Sequence, residues 1–161
     1  MNDSATALDR GFAALSYVMP LAAALQVSEY FFRFLAESVP QALTVVSVIL
    51  TPLMPLIQIE NSFFGIFIFI ALFVFVVRNT NISRFIRFNV LQAILVSFMI
   101  SIGSLILSVL GLTSSFIGET LLNVLFLGGM AVVIYAVAQS VLGRYAEIPT
   151  ISEAVNMQMP Y

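Results

Sequence analysis

Two long apolar stretches, residues 89–110 and 121–142, contain no charged side chain. Each is long enough to cross a bilayer, because an α-helix needs about 20 apolar residues to span the hydrocarbon core. Residues 62–77 are nearly pure Phe, Ile, Leu and Val but form a shorter stretch. Residues 12–27 are also short and contain Pro20. These four stretches are the predicted membrane-spanning helices.

The composition supports the same fold class. Hydrophobic residues make up 61% of the chain and charged residues 9%. A soluble domain of this size needs a polar shell that so few charged side chains cannot provide. We therefore expect residues 1–161 to form one all-α integral membrane domain, a bundle of four helices.

Two further segments lie between the first two predicted spans. In residues 28–38, Glu29, Arg33 and Glu37 share one helical face, with aromatic residues opposite, which is typical of an amphipathic helix in the membrane interface. Residues 42–59 are apolar but contain Pro52 and Pro55. Because proline interrupts helical hydrogen bonding, we expect a re-entrant or in-plane segment here, although a full crossing stays open.

The arginines predict the orientation of the chain, since basic residues accumulate on the cytoplasmic side. With four spans, five of the six arginines fall on one side, and Arg33 falls on the other. The five are Arg10, Arg78, Arg84, Arg87 and Arg144. Both termini are therefore expected to face the cytoplasm or its equivalent in an organelle.

Several classes of function are disfavoured by what the sequence lacks. It has no cysteine and no histidine, so zinc sites and histidine-based catalysis are not expected. The spans at 62–77, 89–110 and 121–142 contain no carboxylate, which argues against acid–base catalysis and proton-coupled transport. We predict no enzymatic activity, metal or cofactor. The net charge of −2 gives the chain no basic surface overall, which argues against nucleic-acid binding.

Small and polar residues form a stripe on each of the last two spans. The third span carries Ser97, Ser101, Ser104 and Ser108 on one face, and the fourth carries Gly128, Ala131, Tyr135 and Gln139. Such residues let membrane helices approach closely and hydrogen-bond to each other. We expect the two stripes to meet in a packing interface. The alternative is that they line a hydrated path or a groove for a polypeptide.

Polar residues also gather where the third span begins. Arg78, Arg84 and Arg87 precede it, and Asn89 and Gln92 lie in its first turns. We expect all five residues to contact anionic lipid headgroups, with a partner protein as the alternative. In the tail at 143–161, Thr150 and Glu153 have the spacing of a capping box, which predicts that Thr150 caps a short surface helix.

Two blocks of sequence resemble a known family. Residues 84–95, Arg-Phe-Ile-Arg-Phe-Asn-Val-Leu-Gln-Ala-Ile-Leu, are similar to its arginine-rich entry into a helix. Residues 147–155, Glu-Ile-Pro-Thr-Ile-Ser-Glu-Ala-Val, are similar to its closing motif, with Ala146 where the family favours proline. The motif residues are Glu147, Pro149, Ser152 and Glu153. The family is the Tic-twenty (Tic20) family, a membrane component of chloroplast inner-envelope import with cyanobacterial relatives.

The resemblance implies a four-helix membrane protein with stromal termini that acts in preprotein translocation. It implies other membrane subunits, unfolded preprotein and lipids as partners. The location would be a cyanobacterial cell membrane or thylakoid, or a plastid inner envelope. Two alternatives remain, namely a structural or assembly subunit of a membrane complex such as a photosynthetic one, and a small-solute channel.

Overall fold

The computed structural model describes residues 5–159, and within that range the chain forms α-helices and no β-strand. The helices, in chain order, are α1 Ala7–Ser16, α2 Val18–Gln26, α3 Glu29–Ser38, α4 Pro40–Leu50, α5 Met54–Glu60, α6 Phe64–Ala71, α7 Arg84–Val109, α8 Phe116–Val141 and α9 Ile151–Gln158. The predicted all-α fold is confirmed.

The two longest helices, α7 and α8, contain the two charge-free apolar stretches. Each has 26 residues and therefore extends about 39 Å. A serine caps each start, because Ser83 Oγ accepts a hydrogen bond from Ile86 N and Ser115 Oγ accepts one from Gly118 N. Each helix is followed by a glycine with positive φ, Gly111 or Gly143, a conformation that glycine adopts without steric cost.

The first predicted span consists of α1 and α2, which follow each other almost without interruption. Thr6 and Asp9 form a capping box at the start of α1. Pro20 lacks the N–H that would bond to the Ser16 carbonyl, which accounts for the irregular turn at Tyr17. After α2 the chain bends by 73° into α3. The Tyr30 hydroxyl fixes α3 by donating to Thr113 O at 2.7 Å.

Residues Pro40–Glu60 form a helix despite their internal prolines. The prolines are accommodated by a 3₁₀ turn at Thr51–Leu53 between α4 and α5. The whole segment has 21 residues and is long and apolar enough to cross a membrane. A full crossing, which the sequence left open, is therefore compatible with its length.

The second predicted span is shorter than expected. Helix α6 has eight residues and continues into six residues of π-helix, Leu72–Val77, so Phe64–Val77 is shorter than an ordinary membrane span. A Cβ at Gly65 would collide with the Glu60 carbonyl oxygen, so glycine allows the tight turn between α5 and α6. Three helices have the length and composition of spans, or four if the bent α1–α3 unit counts as one. The set of four predicted spans remains a prediction.

Helix α7 lies at the centre of the bundle and packs against α1, α2, the π-helix Leu72–Val77, α8 and α9. Leu91, Ile94 and Val96 are among its buried apolar side chains. Large apolar side chains also cover the outside, and Phe116 is 84% exposed and Phe63 77% exposed. A surface of this kind is stable in lipid rather than in water, which agrees with an integral membrane protein.

Candidate functional site

Five polar side chains from distant parts of the chain meet at one end of the bundle, and we call them the polar cluster. They are Tyr17, Asn89, Gln92, Ser140 and Ser152. The Tyr17 hydroxyl lies 2.6 Å from Gln92 Oε1 and 2.9 Å from Asn89 Oδ1, so two acceptors share its proton. Ser140 Oγ donates to Asn89 Oδ1 at 3.0 Å. The cluster therefore connects the α1–α2 junction to α7 and α8.

The amide of Gln92 also holds the C-terminal tail. Its Nε2 donates to Ala146 O at 3.0 Å and to Ser152 Oγ at 2.9 Å. Ser152 Oγ in turn accepts from Ile148 N at 2.8 Å. Gln92 and Ala146 are fully buried, so the bond between them is shielded from solvent, while the bonds of Ser152 are partly buried. The two sequence blocks that carry the family resemblance are thus in direct contact.

The predicted cap at Thr150 is wrong in detail. Helix α9 does begin at Ile151, but Thr150 has φ +68° and its side chain makes no capping hydrogen bond. Two residues later, Ser152 Oγ accepts a hydrogen bond from Ile148 N and lies within hydrogen-bonding distance of Ala146 O. The motif residues Glu147, Pro149 and Glu153 are exposed. They are available to solvent, lipid headgroups or a partner.

The three arginines before and at the start of α7 have different environments. Arg78 and Arg84 are exposed, as a contact with headgroups or a partner requires. Arg87 is 4% exposed, and its Nε donates to Val77 O at 2.9 Å. The expected headgroup role is therefore wrong for Arg87, because its guanidinium instead joins α7 to the end of the π-helix. The expectation is wrong for Asn89 and Gln92 as well, because both are fully buried in the polar cluster.

Tyr145 extends this end of the bundle. Its ring packs edge-on against Phe88, with centroids 4.9 Å apart, and against Phe85. Burial raises the pKa of the Tyr145 hydroxyl, and the charge of Arg84 acts in the opposite direction. The hydroxyl is therefore neutral at physiological pH and can only serve as a hydrogen-bonding group.

We expect Arg87→Ala to lower the free energy of unfolding by about 2 kcal/mol, the usual cost of removing a charged hydrogen-bond donor from a buried acceptor. Arg78→Ala is the matched control, since Arg78 directly follows Val77, the residue that Arg87 contacts, and is exposed. Thermal unfolding of both variants in detergent micelles measures the difference. Equal stability of the two variants would contradict a structural role for Arg87.

The serine stripe does not pack against the stripe on α8 as expected. Ser97 is buried and its Oγ donates to Ala93 O within α7, whereas Ser101 and Ser108 are exposed and Ser104 is half-buried. On α8, a Cβ at Gly128 would meet nothing within 4 Å among the described residues. Tyr135 is 40% exposed and Gln139 is half-buried.

Other residues make the contact between α7 and α8. A Cβ at Gly129 would lie 2.7 Å from Ile100 Cδ1, and one at Gly103 would lie 3.1 Å from Leu125. The close approach at Gly129 also involves Ala24 of α2. The expected small-residue contact therefore exists, but it lies at Gly129 rather than at Gly128.

The serines border a second polar region, which we call the polar groove. It is a groove of about 250 Å³ between α2, the α5–α6 turn and α7, and its polar lining residues are Gln26, Glu60, Asn61, Ser97 and Ser101. Gln26 Nε2 donates to Asn61 Oδ1 at 2.6 Å. Ser97 and Ser101 stand near the middle of α7. Polar groups thus reach the outside of the bundle halfway along its central helix.

Sequence reasoning missed Gln26, Glu60 and Asn61 as members of this groove. Each lies at the end of a helix, where a polar residue ordinarily indicates only the boundary of an apolar segment. One signal was available in the sequence. Only a very short polar segment, which contains Glu60 and Asn61, separates two apolar stretches. A connection that short favours a tight turn inside the protein.

Comparison with known proteins agrees with these observations. Residues 6–155 match the family described as "Chloroplast import apparatus Tic20-like". A Tic20 family protein of Synechocystis is 44% identical and covers 99% of this chain and 98% of its own length. "Protein TIC 20-II, chloroplastic" of Arabidopsis thaliana is 26% identical over 95% of this chain and 73% of its own. With the match extending over almost the whole sequence, from α1 to α9, the chain belongs to the Tic20 family.

Proposed function

We propose that this protein is a membrane subunit of a protein translocon and that its polar groove contacts the translocating chain. The main observation in support of this proposal is the polar groove. Its amides, carboxyl and hydroxyls lie on an otherwise apolar exterior, where lipid tails offer no hydrogen bonds. An extended polypeptide has backbone donors and acceptors that can bond to these groups. The name of the matched family, an import apparatus, supports the same role.

The proposal extends to partners and location. Other membrane subunits and lipids would cover the exposed apolar surface, and Arg78, Arg84, Tyr135 and Gln139 are the candidate contact residues. The relatives in Synechocystis and in the chloroplast suggest a cyanobacterial membrane or a plastid envelope. Both termini would lie on the same side, the cytoplasm or stroma.

A photo-crosslinking amino acid at Ser101, which lines the polar groove, tests the contact. In membrane vesicles that hold an arrested translocation intermediate, we expect crosslinks from this position to the translocating chain. Ile102 is the matched control, since it is 55% exposed and lies about 100° around α7 from Ser101. From Ile102 we expect crosslinks to lipid. Crosslinks to lipid from both positions would reject the translocation role.

One observation favours a second candidate, a structural or assembly subunit. Almost none of the side chains of Pro40–Glu60 is buried, and Ile57 is the main exception. A long, mostly apolar helix that buries so little of its own surface is suited to packing against another membrane protein. Purification in a stable complex that has no translocation activity would support this alternative.

A further inference from the structure

An apolar cleft lies beside the polar groove. It has a volume of about 370 Å³ and is enclosed by α1, α2, α5, α6 and α7. Phe12 and Leu15 of α1 border it, together with Leu56 and Ile59 of α5 and Ile68 of α6. Phe12 is 59% exposed and Leu15 51% exposed, so the cleft is open at its rim.

Glu60 connects the two concave regions, since both Glu60 and Met19 line the apolar cleft and the polar groove. Among the described residues that line either region, Glu60 is the one ionisable side chain. Between residues that the structure describes, the ion pair is Arg33 with Glu29 on α3, and Glu60 takes no part in it. A carboxylate beside apolar surface attracts a cation.

The volume of the cleft limits what can enter it. At about 370 Å³ the cleft is at the lower end of the range of about 300–1,000 Å³ found for pockets that hold small molecules, so it has room for side chains rather than for a whole helix. It can accept one or two large apolar side chains that project from a chain lying along the groove.

We propose that the cleft and the groove together bind a polypeptide segment in which a lysine or arginine lies within about one helical turn of a large apolar residue. The apolar side chain occupies the cleft, and the basic group pairs with Glu60. This inference rests on the proposed function, because it assigns a substrate class to the same surface. It adds selection by charge, which contact with a translocating chain does not require.

The test uses the full-length protein in liposomes, with a photo-reactive phenylalanine analogue at Leu56 on the rim of the cleft. The probes are two synthetic apolar helical peptides of about 20 residues that differ at one position, Lys in one and Glu in the other. We expect the Lys peptide to crosslink about fivefold more than the Glu peptide, the discrimination typical of a partly exposed ion pair. Glu60→Gln should reduce this ratio to about one, and Glu60→Arg should invert it.

Glu119→Gln is the matched control, because Glu119 is also half-buried but lies at the start of α8. It should leave the fivefold ratio unchanged. The ratio is read within each variant, so a fraction of misfolded protein lowers both yields and does not imitate the effect. Equal crosslinking of the two peptides to the unsubstituted protein would overturn charge selection, whatever the Ser101 result. Crosslinks to lipid alone would overturn the polypeptide as occupant.

Discussion

Gln92→Leu should lower the free energy of unfolding by about 3 kcal/mol and release the C-terminal tail from α7. The substitution keeps the volume similar but removes three hydrogen bonds, to the Tyr17 hydroxyl, Ala146 O and Ser152 Oγ. A buried hydrogen bond contributes about 1 kcal/mol to stability, and unpaired polar groups left behind add to the cost. Thermal unfolding in detergent micelles measures the loss.

Trypsin measures the release of the tail directly. Arg144 is exposed and is the last arginine of the chain, so cleavage after it separates α9 from the bundle. If cleavage follows opening of the tail, 3 kcal/mol corresponds to a rate increase of about a hundredfold. Gln158→Leu is the control, because Gln158 is an exposed amide on α9 itself. A cleavage rate of Gln92→Leu equal to that of the control would show that Gln92 does not hold the tail.

The helices were predictable because lipid imposes strong rules on composition and length. The charge-free stretches 89–110 and 121–142 are long enough to span a bilayer, where a helix satisfies all backbone hydrogen bonds within one segment. Residues 42–59 were harder to interpret, since the effect of Pro52 and Pro55 depends on whether a 3₁₀ turn can replace the lost hydrogen bonds. The structure contains such a turn at Thr51–Leu53. That outcome depends on local geometry that composition does not reveal.

The inward faces of α7 and α8 could not be predicted in the same way. Both helices are apolar on every side, because one side meets protein and the other meets lipid, so periodicity does not distinguish them. Small and polar residues were the remaining signal, and they occur on more than one face. Gly128 and Gly129 are neighbours about 100° apart around the helix, and the sequence offers no reason to prefer the second.

The polar cluster was recognised in parts but not as a unit. Asn89, Gln92 and Ser152 were singled out, the first two for a loop and the third for a tail motif. Their contacts join residues that are 51 to 75 positions apart, such as Tyr17 with Gln92. One sequence without a fold cannot indicate that such residues meet. The polar groove was missed for the same reason, since Gln26 and Asn61 belong to different helix ends.

Gly129→Leu should lower the free energy of unfolding by about 2–3 kcal/mol. Already the first carbon of the new side chain would lie 2.7 Å from Ile100 Cδ1 and 3.3 Å from Ala24 Cβ. The end of Ile100 can move, but Ala24 is fully buried on α2 and cannot give way without shifting the helix. Overpacking of a well-packed core typically costs this amount. Unfolding in mixed micelles with increasing dodecyl sulfate measures it.

Gly128→Leu is a matched control that also decides what the outer face of α8 does. A Cβ at Gly128 meets no described residue within 4 Å, and Gly128 is exposed, so the isolated protein should keep its stability within about 0.5 kcal/mol. If both substitutions destabilise the protein equally, the assignment of the packed face is wrong. If Gly128→Leu leaves the isolated protein intact but prevents its co-purification with other membrane proteins, the outer face of α8 is a contact surface. Glycine at 128 would then serve the assembly and glycine at 129 the fold.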